Sequence, residues 1–186
     1  MQEMQQMHPG GLSTRGIVIS GVLGAIAILL GATRIGFIPM PTGINATIMH
    51  VPAIIGGVLE GPVVGALIGT IFGIYSFLQA TTPIFKDPIV AIGPRLFIGI
   101  FAAWAYMAAR PAGEWWAIVV AAVVGTATNT ILVLTLGVAR HYLPAKVAWT
   151  VGLTHGIPEI IVAVIISLAV LLFWKRVQTG PAKARV

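Results

Sequence analysis

From residue 16 onward the chain is a succession of long apolar runs separated by short breaks of Gly, Pro and charge, and the length of those runs limits what it can fold into. A helix crossing the hydrocarbon core needs about 20 mostly apolar residues at 1.5 Å rise each, and lipid tolerates only segments whose backbone bonds to itself. Of 186 residues, 58% are hydrophobic and 9% charged, whereas a soluble domain carries about 25% charged residues. The chain is read as an all-α integral membrane protein. There is room for a single six-helix transmembrane domain over residues 16–175, between a polar N-terminal tail at 1–15 and a basic C-terminal tail at 176–186, and for no soluble domain. The first apolar run is longer than a usual signal-peptide core and is read as a retained first helix.

The breaks place the spans. The first covers residues 16–32, with Ser20, Gly24, Ala27 and Gly31 at three- and four-residue spacing, a stripe that admits a close neighbour. Residues 34–45 cannot be regular helix, because Pro39 and Pro41 each remove a backbone donor and bias the residue before them. They form a loop at the membrane, capable of re-entering it. The second run, 46–59, is short for a crossing and carries Pro52, so a kinked or partial span is expected. After Glu60-Gly61-Pro62 the third span, 63–79, repeats glycine at Gly65, Gly69 and Gly73. The remaining spans are 89–109, 115–138 and 147–174.

Charge and residue content exclude several functions. The net charge of +6 comes from Lys and Arg scattered at span ends, which suits membrane topology better than nucleic acid. Six spans put both termini on one side. That side would hold Arg15, Arg110, Lys175, Arg176, Lys183 and Arg185, against Arg34, Lys86, Arg140 and Lys146 opposite, a weak bias toward cytoplasmic termini. The absence of cysteine removes disulfides, thiolate metal sites and a cysteine nucleophile. There is no phosphate-cradling GxxxxGK[ST] loop, so the chain does not hydrolyse ATP itself, and no HExxH pattern. Neither a metal, a cofactor nor catalysis is expected.

Against this apolar background the polar residues inside spans stand out. Counting 1.5 Å per residue from the nearest end puts Arg95 roughly 9 Å deep, Asn129 roughly 14 Å, His155 roughly 12 Å and Glu159 roughly 18 Å, all from one side. Polar groups in hydrocarbon are costly, and a shared layer of them points to a ligand site. Tyr75, Gln79 and Trp149 fall at the same level by this count, His50 lies below the Pro-rich loop and Asn45 closes it. Other readings stay open. Arg95 and Glu159 can form a structural ion pair. Asn129, with Thr126 and Thr130 beside it, can serve as interhelical glue, and His50 can satisfy the carbonyl freed by Pro52. The tryptophans Trp104, Trp115, Trp116 and Trp174 read as interfacial belt residues.

The run from Thr47 to Gly73 (TIMHVPAIIGGVLEGPVVGALIGTIFG), with Ile92-Gly93-Pro94-Arg95 and Gly125-Thr126-Ala127-Thr128-Asn129-Thr130-Ile131-Leu132-Val133-Leu134, resembles the substrate-binding S components of energy-coupling factor (ECF) vitamin transporters. Within that family it is most similar to the pantothenate type. The resemblance implies six helices and capture of a vitamin from outside by loops and the outer halves of the later helices. It also implies a multi-pass protein of a prokaryotic cell membrane, driven by partner subunits: a transmembrane scaffold and two ATPases. It would place a lid in the Pro-rich loop and scaffold docking on the small-residue stripes, with Ser20, Gly24, Ala27, Gly31, Gly65 and Gly69 as the docking set. Where the pantothenate type is expected to carry Asn before the last-span glutamate, this chain reads Thr154-His155-Gly156-Ile157-Pro158-Glu159.

A carboxylate ligand needs a cation, and Arg95 is the one Lys or Arg inside a span; Asn129, Gln79 and His155 suit amide and hydroxyl groups. If Glu159 neutralises Arg95, a neutral or cationic vitamin precursor fits better. The alternatives are an S component for another vitamin or precursor (folate, cobalamin, a thiamine precursor or riboflavin) and a stand-alone channel or secondary carrier. The latter is disfavoured because no inverted repeat is visible in the span pattern.

Overall fold

The computed structural model describes residues 12–39 and 46–179, with side chains described through residue 177. Asn45, Pro41, Lys183 and Arg185 lie outside the described residues. Six α-helices account for most of the rest: α1 (Thr14–Ala32), α2 (Val51–Glu60), α3 (Pro62–Leu78), α4 (Pro88–Ala109), α5 (Glu114–Ala139) and α6 (Ala145–Thr179). Local chemistry sets their starts. Ser13 accepts the Gly16 N–H at 3.0 Å to cap α1, and Asp87 accepts the Ile89 N–H at 2.9 Å to cap α4. Proline opens α2, α3 and α4, where a missing N–H leaves nothing unpaired. Pro52 therefore begins a helix rather than kinking one. Gly61, at φ 92, turns the chain between α2 and α3.

The architecture is all-α apart from one short ribbon in the segment read as a loop. Part of the Pro-rich segment pairs with the residues that follow it, β1 (Phe37–Ile38) with β2 (Ala46–Thr47), antiparallel, in the register Phe37 to Thr47 and Ile38 to Ala46. A two-stranded ribbon thus carries the chain from the end of α1 to the start of α2.

Among the described residues four helices are long and apolar enough to cross a membrane: α1, α4 with the turn that follows it, α5 and α6. Large apolar side chains face outward along them, among them Ile17, Val22 and Leu29 on α1, Met107 on α4, Ile131 on α5, and Ile157, Ile161 and Ile165 on α6. Such a surface is stable against lipid and not against water. All five tryptophans are also exposed, as belt residues should be.

The two shorter helices are the inner ones. Every residue of α2 from Val51 to Val58 is buried, and α2 touches all five other helices. Ten residues at 1.5 Å rise give about 15 Å, half the hydrocarbon thickness. Around it α3 packs on α4, α4 on α5 and α5 on α6, with α1 against α2 and α3. Because α2 fills only one half of the bundle's axis, the other half is left for loops, the ribbon and a cavity.

The small-residue stripes are used internally. Ser20, Gly24, Ala27 and Gly31 are all buried against this chain's own residues: a Cβ at Gly24 would meet Ile71 of α3, and one at Gly31 would meet Met49 and Tyr75. Gly65 and Gly69 face α4, where a Cβ on Gly65 would lie 2.7 Å from Gly99 Cα and one on Gly69 would collide with the Arg95 carbonyl oxygen. The reading of these six residues as a partner-docking face is corrected accordingly. The spacing reports a close approach, and the helix approaching is one of the chain's own.

Candidate functional site

A cavity of about 410 Å³ occupies the half of the bundle that α2 leaves empty. Thr47 of β2, Pro83, Ile84 and Phe85 of the 3₁₀ turn Pro83–Lys86 before α4, Arg95, Asn129 and Thr130, the turn residues Tyr142 and Leu143, and His155 and Glu159 of α6 line it. Val133, Leu134, Val147 and Val151 complete an apolar wall. The four polar residues that helix counting put in one layer come from three helices and meet here.

Arg95 is 3% exposed. Its Nη1 donates to the Val90 carbonyl at 2.6 Å, and the guanidinium lies over the rings of Phe85 (4.9 Å to the centroid) and Phe72 (5.4 Å). Its Nε is buried without a hydrogen-bond partner. No ion pair joins it to Glu159, so the reading of these two as a closed structural pair does not hold. Glu159 is instead held by neutral donors: the Thr47 N–H donates to Oε1 at 2.7 Å and the Thr130 hydroxyl to Oε2 at 3.3 Å. A carboxylate offers about four lone-pair directions, so acceptor capacity remains. Asn129 is buried with its Oδ1 unpartnered. His155 Nδ1 lies 3.1 Å from the Val151 carbonyl and 3.0 Å from the Thr154 hydroxyl.

An unpartnered buried polar atom carries a desolvation penalty of about 1–3 kcal/mol. Two such atoms here, a donor on Arg95 and an acceptor on Asn129, give the cavity the complement of a ligand that has an anionic acceptor at one end and an N–H or O–H elsewhere. Its volume falls within the roughly 300–1,000 Å³ of small-molecule sites.

Other residues expected at this level go elsewhere. His50 is fully buried one layer deeper and its Nε2 is 3.0 Å from the Thr126 hydroxyl, tying the start of α2 to α5. Tyr75 packs toward Gly31 of α1, on another side of α3 from the cavity. Gln79 is exposed at the end of α3. Trp149 is 74% exposed and belongs to a separate groove of about 570 Å³ between α5 and α6. None of the four lines the cavity.

Sequence reasoning also passed over the residues that frame the mouth. Asp87, besides capping α4, accepts from Arg140 Nε at 2.7 Å and from the Tyr142 hydroxyl at 3.3 Å, clamping the turn before α4 to the turn after α5. Burial alone would raise the Asp87 carboxyl; the hydrogen bonds from Arg140 and the Ile89 N–H, with the Arg140 charge, leave it below its ordinary value. Phe85 was missed because it lies in a loop by sequence; the Asp-Pro start of α4 just after it was the available signal. Thr47 acts through its backbone, which no side-chain pattern reveals.

Two comparisons bear on this site. Residues 15–171 match the family model described as "ECF transporter, substrate-specific component". The chain is also 31% identical to the pantothenic acid transporter PanT of Lactococcus lactis subsp. cremoris, in an alignment covering 70% of this chain and 78% of that protein.

Proposed function

The chain belongs to the family of substrate-specific components of ECF transporters, and from that premise we propose that its cavity captures pantothenate from outside the cell and delivers it to an ATP-driven import complex. The observation that carries the reading is the buried Arg95 guanidinium with an unpaired Nε in a cavity that also holds an unpaired acceptor on Asn129. The name of the Lactococcus relative supplies the candidate. Pantothenate's carboxylate would lie against Arg95, its amide N–H or a hydroxyl would donate to Asn129 Oδ1, and a second hydroxyl would donate to Glu159. Its gem-dimethyl group would rest on the wall of Val133, Leu134, Val147 and Val151. A charge-assisted hydrogen bond in a water-poor site is about twice as strong as a neutral one, which makes Arg95 the largest single contributor.

The chain lacks the phosphate loop needed to hydrolyse ATP, so import requires partners: a transmembrane scaffold subunit and two ATPase subunits in a prokaryotic cell membrane. Arg15, Arg110, Lys175 and Arg176 lie at the bundle end away from the cavity, and Lys183 and Arg185 follow in the sequence, against Arg34, Lys86, Arg140 and Lys146 at the cavity end. That bias supports cytoplasmic termini and an outward cavity.

The test is direct. The detergent-solubilised protein is extracted with denaturant, any co-purified small molecule is identified by mass spectrometry, and that compound is titrated calorimetrically. Pantothenate near one per chain is the expected result. A different vitamin would keep the transport role and overturn the substrate; uptake by vesicles holding this chain alone would overturn the dependence on partners.

A further inference from the structure

Arg95 is held in an unusual way, and its neighbour in the sequence explains how. In α4 the N–H of residue 94 would ordinarily donate to the carbonyl of Val90, but residue 94 is proline and has none. The proline ring also pushes that carbonyl away from the helix axis. Val90 is fully buried in the protein, so water cannot take the missing donor's place. Arg95 Nη1 fills the gap at 2.6 Å. Side chains on a helix lean toward its N-terminus, so the reach from residue 95 back to residue 90 follows the direction the side chain already takes. The result is a guanidinium fixed at one nitrogen by its own helix and on its faces by Phe72 and Phe85, with Nε left over.

Resting on the proposed reading of Arg95 as the carboxylate contact, we infer that Pro94 is a positioning residue for substrate selection. It creates the vacant carbonyl that aims the guanidinium into the cavity, and so separates carboxylate ligands from their uncharged analogues. α4 meets α3 through Gly65, Gly69 and Gly73, which face the α4 backbone at Gly99, Arg95 and Ile92; Pro94 is itself fully buried, and a void left by its ring would weaken the binding of any ligand, charged or not.

The experiment uses the full chain in detergent and two probes, pantothenate and panthenol, in which an alcohol replaces the carboxylate. Pro94→Ala restores the backbone N–H, which then occupies the Val90 carbonyl and releases Arg95. Pro94→Gly restores the same N–H and is carried in parallel, so that a folding failure in one variant leaves the other. Pantothenate affinity should fall by about tenfold, the loss of one charge-assisted contact. Panthenol affinity should stay within about twofold, because that probe does not use the guanidinium charge. In an Arg95→Ala background the Pro94 change should have no further effect on pantothenate. Equal weakening of both probes, or an undiminished Pro94 effect without Arg95, would overturn the inference in favour of a packing role. Failure of the underlying reading looks different: the unmutated protein itself would not discriminate between the probes.

Discussion

The seam between α3 and α4 and the seam between α5 and α6 are built on opposite plans. In the first, Gly65, Gly69 and Gly73 bring two backbones into contact, and a single Cβ at Gly69 would strike the Arg95 carbonyl. In the second, a Cβ added at Gly152 or Gly156 would meet only side chains, Leu134 at 3.2 Å and Thr130 at 3.5 Å, and the helices part around two cavities that share Thr130 and Leu134. The cation of the site sits on the tight seam, and the anion and histidine sit on the open one. In the proposed reading, the charge that must not move is fixed to backbone, and the groups that would take a ligand's neutral parts are on the side with room.

The largest effect should come from closing the difference. Gly69→Val puts a branched side chain against the α4 backbone, which cannot retreat without moving Arg95. Overpacking of this kind costs roughly 1–3 kcal/mol or more, so a lower Tm together with loss of pantothenate binding is expected. Normal binding would show that the seam tolerates separation and that Arg95 is not held by it. On the open seam, Glu159→Ala removes the acceptor for the Thr47 N–H and the Thr130 hydroxyl. A loss of about three- to tenfold in affinity is expected, the worth of one or two hydrogen bonds, with the fold kept; collapse of the fold would mean that α6 is as rigidly seated as α4. The smallest effect is expected from Trp149→Ala, which alters the outer groove and leaves the cavity lining intact. Affinity should change by less than about twofold, as for an exposed rim residue. A larger loss would merge groove and cavity into one site.

The contrast between the seams also explains what the sequence could disclose. Depth follows from counting 1.5 Å per residue, and the four residues that count groups, Arg95, Asn129, His155 and Glu159, line one cavity. Azimuth does not follow from counting: Tyr75 and Gln79 have suitable depth and face other directions, and Trp149 faces outward. A small-residue stripe announces close approach without naming the neighbour, which is why Gly24 and Gly65 read as a docking face and turn out to seat α3 and α4. Pro52 was legible as a break but not as a helix start, because both follow from the same missing N–H. The ribbon of two residues per strand is too short for any periodicity to register.

The most direct test of the account is calorimetric titration of the unmutated protein and of Arg95→Ala with pantothenate and panthenol. The unmutated protein should prefer pantothenate by at least about tenfold, roughly 1.4 kcal/mol, and Arg95→Ala should erase the preference by weakening pantothenate alone while Tm holds. Equal binding of the two ligands by the unmutated protein, or a preference that survives the loss of Arg95, would contradict it.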